Sequence, residues 1–424
     1  MATSPIRSYA LVTVAYWAFT LSDGALRMLV LLHFYRLGYT PVELAFLFLF
    51  YELFGVVTNL VGGWIASLRG LRATLLDGLA LQVVALVMLS LLDTSWSRLL
   101  SVTYVMAAQA LSGIAKDLTK MSSKSAIKVL VPEHASSSLF RWVAILTGSK
   151  NALKGAGFFL GGLLLSALGF RTSLWTMAAV LFGTLALSFF TLPRDMGKTK
   201  AKPKFSQLFS KTREVNVLSA ARFFLFGARD IWFVVGVPVF LSVRFGWGFT
   251  DVGGFLAAWV IGYGVIQTVA PALIGRFTGG RAPRGRSALI LAFLLAAIMA
   301  ALATGLASGW HAEVIIVGGL AVFGVIFAVN SSVHSYLILA YSEGDKVALN
   351  VGFYYMANAG GRLIGTLVSG LMYQFAGVEG CLWASTAFAA LAGVVSLWLP
   401  RGGVAGDMDR PLSELHIEGG GGGD

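Results

Sequence analysis

The stretch PRDMGKTKAKPKFSQLFSKTRE, residues 193–214, is the longest basic segment of this 424-residue sequence and lies near its midpoint. Long apolar stretches flank it on both sides. A helix needs roughly 20 apolar residues to cross the hydrocarbon core of a bilayer. Hydrophobic residues make up 57% of the chain and charged residues only 12%, about half the usual charged share of soluble domains. The composition therefore predicts an integral membrane protein.

Six apolar spans precede the basic segment and six follow it. The predicted spans are 9–34, 42–66, 73–92, 99–118, 140–168, 173–192, 215–242, 252–274, 287–306, 313–340, 347–374 and 380–399. This pattern indicates an all-α membrane protein with twelve transmembrane helices in two six-helix halves. We expect bundles at 1–192 and 215–400, a basic cytoplasmic linker at 193–214, and a flexible glycine-rich cytoplasmic tail at 401–424.

The distribution of basic residues predicts the orientation of these spans. Of the 32 lysine and arginine residues, the predicted external loops hold only Arg36, Arg98, Arg171 and Arg244. Cytoplasmic loops of membrane proteins carry an excess of lysine and arginine, so we expect both termini in the cytoplasm. The net charge of +12 then reflects topology and attraction to anionic lipids, and we expect no nucleic-acid partner.

Several function classes lack the residues they require. The single cysteine, Cys381, excludes an intrachain disulfide and a multi-cysteine centre. The five histidines show no metal-ligand spacing, so we expect no metal and no cofactor. The sequence contains neither a phosphate-binding P-loop nor a recognisable nucleophile–base set. We therefore expect neither an ATP-driven pump nor an enzyme.

Ten charged residues lie inside the predicted spans, at least four positions from either end. The cations are Arg27, Lys150, Lys154, Arg222, Arg229 and Arg362, and the acids are Asp23, Glu52, Asp77 and Asp230. A charge at the bilayer centre costs about 2.5–3.5 kcal/mol on insertion scales. Such groups persist when they are paired or face a polar cavity. Since the cations outnumber the acids, we predict a buried cavity with net positive charge.

The segment LTGSKNALKGAGFFLGG, residues 146–162, contains the strongest of these signals. Lys150 and Lys154 lie one helical turn apart on the same face, where like charges repel. This arrangement favours anion binding, and a structural role is the alternative.

Pairing within single helices can be predicted for two other groups. Asp23 and Arg27 are four residues apart and are expected to pair along one face, either structurally or as a gate that opens when substrate takes Arg27. Arg222 and Arg229 share a face, while Asp230 is expected to point elsewhere. Arg222 lies nearer the cytoplasm, which leaves snorkelling to the membrane surface as an alternative role.

A polar stripe runs along the span 347–374, and another lies in the span before it. Asn350, Tyr354, Asn358 and Arg362 recur every four residues, and Asn330 and His334 share a face. Interhelical hydrogen bonding is the alternative to substrate binding for these amides. The residues predicted to bind substrate are Arg27, Lys150, Lys154, Arg229, Asn330, Tyr354, Asn358 and Arg362. Those predicted to carry protons or act in gating are Asp23, Glu52, Asp230 and His334.

A weak internal repeat and a loop motif point to a family. YTPVELAFLFLF (39–50) resembles FTDVGGFLAAWV (249–260), and both place a threonine where it can cap a helix. The loop GWIASLRGLR (63–72) keeps two glycines and the last arginine of the G-x-x-x-D-R-x-G-R-R motif of major facilitators, with Ser67 and Leu68 replacing its Asp and Arg. The chain thus resembles the major facilitator superfamily, which implies alternating access to a substrate site between the two halves.

Four longer stretches are similar to one branch of that superfamily. They are SYALVTVAYWAFTLSDGALRMLVLLHFYRLGY (8–39), ALSGIAKDLTKMSSKSAIKVLVPE (110–133), LTGSKNALKGAGFFLGG (146–162) and ARFFLFGARDIWFVVGVPVFL (221–241). They resemble the organoarsenical efflux permeases of the ArsJ type. The resemblance implies export of 1-arseno-3-phosphoglycerate across the bacterial inner membrane, arsenate resistance, and functional pairing with a glyceraldehyde-3-phosphate dehydrogenase. We expect a monomer.

Two other functions stay open at this stage. One is a carrier of a different anion, such as a sugar phosphate, an organic acid or phosphate. The other is a membrane sensor that has kept the fold and does not transport. A neighbouring gene for a glyceraldehyde-3-phosphate dehydrogenase would favour the arsenical cargo over both.

The two lysines provide the first test. Lys150→Gln and Lys154→Gln should each abolish or strongly weaken transport while the protein still inserts, because each removes a cation expected to contact the anionic cargo. Transport by each variant is compared at equal expression. Full transport by both variants would contradict the prediction of a basic site.

Overall fold

The computed structural model describes residues 5–93, 95–130, 136–193, 212–278, 283–341 and 347–400. The segment 194–211 of the predicted linker and the predicted tail 401–424 lie outside the described residues. All regular elements within the described ranges are helical. The all-α class predicted from composition is confirmed.

The helices follow one another with short connections. They are α1 (Pro5–Arg36), α2 (Pro41–Leu47), α3 (Leu49–Arg69), α4 (Leu71–Ser90), α5 (Arg98–Leu130), α6 (Ser136–Thr191), α7 (Arg213–Phe233), α8 (Gly236–Phe245), α9 (Phe249–Thr278), α10 (Gly285–Ala307), α11 (Leu320–Ala340) and α12 (Val347–Ser396). A π-helical turn at Val314–Gly319 leads directly into α11.

Ten helical stretches within the described residues are long and apolar enough to cross a membrane. Two of them, Ser149–Thr191 and Asn350–Ser396, contain 43 and 47 residues, about twice the length that spans a bilayer core. Each is interrupted by one glycine with positive φ, Gly169 at 73° and Gly377 at 61°. Counting each of these stretches as two spans gives the twelve that we expect, and this count stays a prediction.

The chain forms two compact units. The first comprises Met1–Phe205 and Gly246–Ile261, and the second Ser206–Phe245 and Gly262–Asp424. Helix α9 therefore belongs to the first unit in its N-terminal part and to the second in its C-terminal part. The predicted domain boundaries place all of α9 in the C-terminal half, and they stay a prediction.

The two predicted threonine caps have different outcomes. At α2, the Thr40 hydroxyl accepts a hydrogen bond from the Glu43 N–H at 3.3 Å, and the Glu43 carboxylate accepts one from the Thr40 N–H at 2.7 Å. This capping box confirms the prediction. At α9 the prediction is wrong. Asp251 accepts a hydrogen bond from the Gly248 N–H at 3.1 Å, while the Thr250 hydroxyl lies 3.1 Å from that of Ser166.

Glycines bring α1 and α6 into backbone contact in the first unit. A Cβ atom added at Gly161 would lie 2.9 Å from the Cα atom of Ala25 and closer still to its carbonyl oxygen. One added at Gly24 would lie 2.7 Å from the carbonyl oxygen of Lys154 and 3.2 Å from the Cα atom of Gly157. Small residues allow such close packing between membrane helices. The glycines that follow the two lysines therefore fix this part of α6 against α1.

The second unit packs α7 against α12 in the same way. A Cβ atom at Gly361 would lie 2.9 Å from the Cα atom of Phe223, and one at Gly365 would lie 3.1 Å from that of Gly227. The added atom at Gly365 would also lie 3.0 Å from the Cβ atom of Asp230. These contacts place the polar stripe of α12 against the charged residues of α7.

An added methyl group should destabilise the protein at a glycine that packs against another helix and should have little effect at a glycine that does not. Gly161→Ala should destabilise the protein by about 1–3 kcal/mol because the backbone of α1 must move to admit it. Gly183→Ala on the same helix is the matched control, since nothing lies within 4 Å of an added Cβ atom there. Thermal unfolding of the purified proteins in detergent measures the difference. Equal unfolding temperatures for the two variants would contradict the packing role.

Candidate functional site

The first unit buries an ion pair between α1 and α3. The Arg27 guanidinium lies 3.2 Å from the Glu52 carboxylate, with side-chain exposures of 8% and 0%. The guanidinium also lies over the rings of Phe48 and Tyr51, at 5.3 and 5.7 Å. Within the described residues, its Nη2 atom has no hydrogen-bond partner. The predicted ligand Arg27 therefore has a buried N–H group available to a bound anion.

The predicted pairing of Asp23 with Arg27 is wrong. Tyr51 donates its hydroxyl hydrogen to the Asp23 carboxylate, at 2.8 and 3.0 Å from the two oxygens, and Arg27 pairs with Glu52 instead. Two adjacent residues of α3 are thus the partners of the two charged residues of α1. Tyr51 is the partner of Asp23, and Glu52 is the partner of Arg27. Spacing along one helix cannot reveal partners that a second helix supplies.

A second network of the first unit surrounds Asp117, which is fully buried. The Lys120 ammonium lies 2.6 Å from both the Asp117 carboxylate and the Asn59 side-chain oxygen. Asn59 also donates to Asp117 at 3.2 Å. Lys116 lies 3.8 Å from Asp117 and 4.2 Å from the centre of the Tyr51 ring.

Sequence reasoning missed this network because it ended the span at residue 118. Helix α5 continues to Leu130, and its membrane-compatible stretch, Arg98–Ser123, includes both lysines. Lys116 and Lys120 therefore lie on a helix, and the cytoplasmic side that we expect for them from the excess of basic residues stays a prediction. The three-residue spacing of Asp117 and Lys120 could have indicated their ion pair.

Lys150 and Lys154 both lie half-buried on α6. The Lys154 ammonium is 5.7 Å from the centre of the Phe158 ring. Beside Lys150, the hydroxyl of Ser149 accepts a hydrogen bond from the Trp17 indole of α1 at 2.9 Å. Contacts with α1 thus position this face of the helix, and anion binding by the two lysines stays a prediction.

In the second unit, two arginines share one buried carboxylate. Asp230 lies 2.5 Å from Nη2 and 2.6 Å from Nε of Arg229, and 3.1 Å from Nε of Arg362. The sequence predicts that Asp230 points away from Arg229. This prediction is wrong. The long arginine side chain folds back along its own helix and reaches its neighbour, although the Cβ atoms of adjacent residues diverge. The predicted ligands Arg229 and Arg362 are brought together.

Arg222 forms a polar cluster next to this group. Its guanidinium donates to the side-chain oxygen of Asn358 at 3.0 Å and to the Ser331 carbonyl and hydroxyl oxygens at 3.2 and 3.1 Å. The hydroxyl of Tyr263 and the amide of Gln267 reach the Ser331 hydroxyl at 3.0 and 3.3 Å. Arg222 is buried, so the alternative of snorkelling is wrong. For Asn358, the structure shows the interhelical hydrogen bond.

The remaining residues of the polar stripes surround Arg222 or lie on the same faces. The Arg222 guanidinium lies 5.1 Å from the centre of the Tyr354 ring. Asn330 and His334 of α11 are fully buried. Within the described residues, their side-chain nitrogens and oxygen have no hydrogen-bond partner. Buried polar atoms normally have partners, so these side chains are suited to a polar ligand or water.

Phe226 connects the two arginine groups. Its ring centre lies 3.9 Å from the guanidinium carbon of Arg222 and 4.9 Å from that of Arg229. Together with Arg362, these residues give three guanidinium groups and one carboxylate, Asp230. The buried cavity with net positive charge that we expect from the sequence stays a prediction. Guanidinium groups with free N–H bonds bind phosphate-like and carboxylate groups, often through two hydrogen bonds.

The family profile described as Major Facilitator Superfamily matches residues 12–341. This chain belongs to the major facilitator superfamily. Membership makes it a multi-pass membrane protein and a secondary transporter. This major facilitator has the fold that its sequence motifs suggest.

Two solved structures of transporters are similar to this major facilitator along nearly the whole chain. A D-xylose–proton symporter matches with a TM-score of 0.68 and 15% identity, over 93% of this chain and 98% of that one. A bacterial homologue of the iron transporter ferroportin, in an inward-facing state, matches with a TM-score of 0.70 and 15% identity, over 93% and 99%. Identities this low show the fold alone. No curated protein sequence matches.

The ion pairs of the first unit lead to a test of partner assignment. Glu52→Gln should destabilise this major facilitator by about 3–5 kcal/mol, because it leaves Arg27 buried without its counter-charge. Asp23→Asn should cost less, since the amide oxygen still accepts from Tyr51. Adding Arg27→Gln should restore stability to Glu52→Gln and not to Asp23→Asn. Thermal unfolding in detergent measures all four variants, and rescue of Asp23→Asn alone would support the pairing expected from the sequence.

Proposed function

We propose that this major facilitator exports a small, multiply charged anion, and that its cargo is 1-arseno-3-phosphoglycerate, which would give arsenate resistance. The anionic class is supported by one observation, the grouping in the second unit of three arginines, buried Arg222 and half-buried Arg229 and Arg362, with the carboxylate of Asp230. The arsenical identity rests on the resemblance of residues 8–39, 110–133, 146–162 and 221–241 to the ArsJ-type permeases.

The chemistry of this cargo fits the arginine groups. An arsenate ester and a phosphate ester on a three-carbon backbone carry several negative charges and many acceptor oxygens. Guanidinium groups match such oxygens in pairs, and their attraction is stronger where surrounding rings exclude water. Neutral sugars do not require an excess of buried cations, so the D-xylose specificity named for the structural neighbour is not transferred to this chain.

Each predicted site residue has a role in this proposal. In the second unit, Arg229 and Arg362 bind the cargo, and Asn358 and Tyr354 hold Arg222 beside them. Asn330 and His334 supply buried polar atoms that have no hydrogen-bond partner within the described residues. In the first unit, Arg27, Lys150 and Lys154 are the proposed anion ligands. Asp23, Glu52, Asp230 and His334 remain candidates for proton transfer or gating.

The proposal places the protein in the bacterial inner membrane with both termini in the cytoplasm, acting as a monomer. A glyceraldehyde-3-phosphate dehydrogenase that uses arsenate in place of phosphate supplies the cargo. The same arginine groups also suit another anion of this class, such as a sugar phosphate, an organic acid or phosphate, which is the second candidate function.

Arsenic retention in arsenate-sensitive bacteria tests the cargo. Four strains are compared, with and without the transporter and with and without the dehydrogenase. Cell-associated arsenic should fall only in the strain that contains both proteins, because only there is the organoarsenical both made and exported. A fall with the transporter alone would indicate export of arsenate itself. No fall in any strain would contradict an arsenical cargo and leave the other anions as candidates.

Two variants make this assay specific for the proposed site. Arg362→Gln should abolish the fall in arsenic, because it removes one of the guanidinium groups proposed to bind the cargo. Arg244→Gln, which replaces an exposed arginine of the same unit, should leave it unchanged. Equal arsenic export by the two variants at equal expression would contradict a role for the arginine group in export.

A further inference from the structure

The carboxylate of Asp230 lies behind the two arginines that hold it. Its side chain is 1% exposed, whereas the side chains of Arg229 and Arg362 each retain 14% exposure. An anion that approaches this group therefore meets guanidinium N–H bonds before it meets the carboxylate. The repulsive member of the group is shielded, and the attractive members face the approach.

The backbones of α7 and α12 hold this arrangement in place. Gly361 immediately precedes Arg362, and a Cβ atom added there would lie 2.9 Å from the Cα atom of Phe223. A Cβ atom added at Gly365 would lie 3.0 Å from the Cβ atom of Asp230 itself. Helices packed this closely cannot separate locally without losing their contacts. Exchange of partners at Asp230 must therefore occur by rotation of side chains.

The two contacts of Asp230 are unequal. Arg229 approaches through two nitrogens at 2.5 and 2.6 Å, whereas the Nε atom of Arg362 lies 3.1 Å from the other oxygen. Charge-assisted hydrogen bonds strengthen as they shorten. The Nε contact of Arg362, which crosses from one helix to the other, is the longest of these three, and we expect an incoming anion to exchange it first.

We propose that Asp230 is an internal counter-anion that determines the selectivity of the site, excluding monocarboxylates and admitting anions of higher charge. The inference rests on the proposed function, because it assumes that anionic cargo binds at Arg229 and Arg362. It assigns to Asp230 a role as a competitor of the cargo, in place of a role in proton transfer.

The physical basis is competition at high local concentration. A tethered carboxylate beside the guanidinium groups has an effective concentration far above that of free solutes. A free monocarboxylate offers the same functional group and the same charge, so it gains little by replacing Asp230. A phosphate or arsenate ester offers more negative charge and more acceptor oxygens, which gives it stronger charge-assisted hydrogen bonds. After transport, Asp230 can pair with Arg362 again, which promotes release of the cargo.

Binding of two related anions tests this role. Glycerate and 3-phosphoglycerate share one carbon skeleton and differ by the phosphate group. Their affinities for the purified full-length protein are measured by isothermal titration calorimetry in detergent. Wild type should bind 3-phosphoglycerate at least about 10-fold more tightly than glycerate. In Asp230→Asn this preference should fall by about 10-fold through a gain in glycerate affinity, since the competing charge is gone.

A double variant separates competition from net charge. Asp230→Asn combined with Arg362→Gln keeps the charge of the wild-type group, because one cation and one anion are removed together. It should nevertheless bind glycerate more tightly than wild type does, since Arg229 is then free of its internal partner. The double variant also provides the test if the single variant does not fold.

The outcomes distinguish this inference from the proposed function. If wild type binds 3-phosphoglycerate and the preference over glycerate is the same in both variants, the role of Asp230 is wrong and the anion site remains. If neither anion binds to wild type or to either variant, the proposal of an anion site is wrong, and the role of Asp230 is rejected with it.

Discussion

Backbone contact at glycines is the constraint on which the helix packing of both units depends. In each unit one pair of helices, α1 with α6 and α7 with α12, approaches so closely that an added Cβ atom would meet the opposing backbone. This approach holds the carbonyl of Lys154 next to Gly24 and the side chain of Arg362 next to Asp230. Wider spacing of α7 and α12 would separate Arg362 from Asp230 and weaken the compensation of a buried carboxylate.

Features of the fold that depend on local sequence could be predicted. The apolar spans follow from length and composition, and the capping box of Thr40 and Glu43 follows from residues three positions apart. Features that depend on contacts between helices could not. The continuation of α5 to Leu130 was missed because Lys116 and Lys120 resemble residues of a cytoplasmic loop. Both lysines remain inside the helix because the Asp117 carboxylate neutralises their charge and the Asn59 side-chain oxygen accepts a hydrogen bond from Lys120. Neither the spacing nor the charge of the lysines reveals Asn59 as a partner.

The same distinction applies to the candidate site. Periodicity identified the face of α12 that contains Tyr354, Asn358 and Arg362, and this face does contact α7. The partners of these residues were not predictable, because the partner of each lies on another helix and side-chain length decides which acid is reached. Arg229 reaches the adjacent Asp230 for this reason. The sequence therefore indicated which polar residues of α7 and α12 lie on facing sides and left open how their charges are divided.

The π-helical turn before α11 has a consequence for how this site can evolve. Such a turn contains one residue more than an α-helical turn, so residues after it are rotated by about 100° relative to a continuous α-helix. Ser331, which receives hydrogen bonds from Arg222, Tyr263 and Gln267, lies on the far side of this turn. Loss of one residue between Val314 and Gly319 would turn Ser331 away from Arg222 without changing a single side chain. A change in chain length, invisible to a comparison of site residues, is therefore enough to redefine the chemistry that this helix presents.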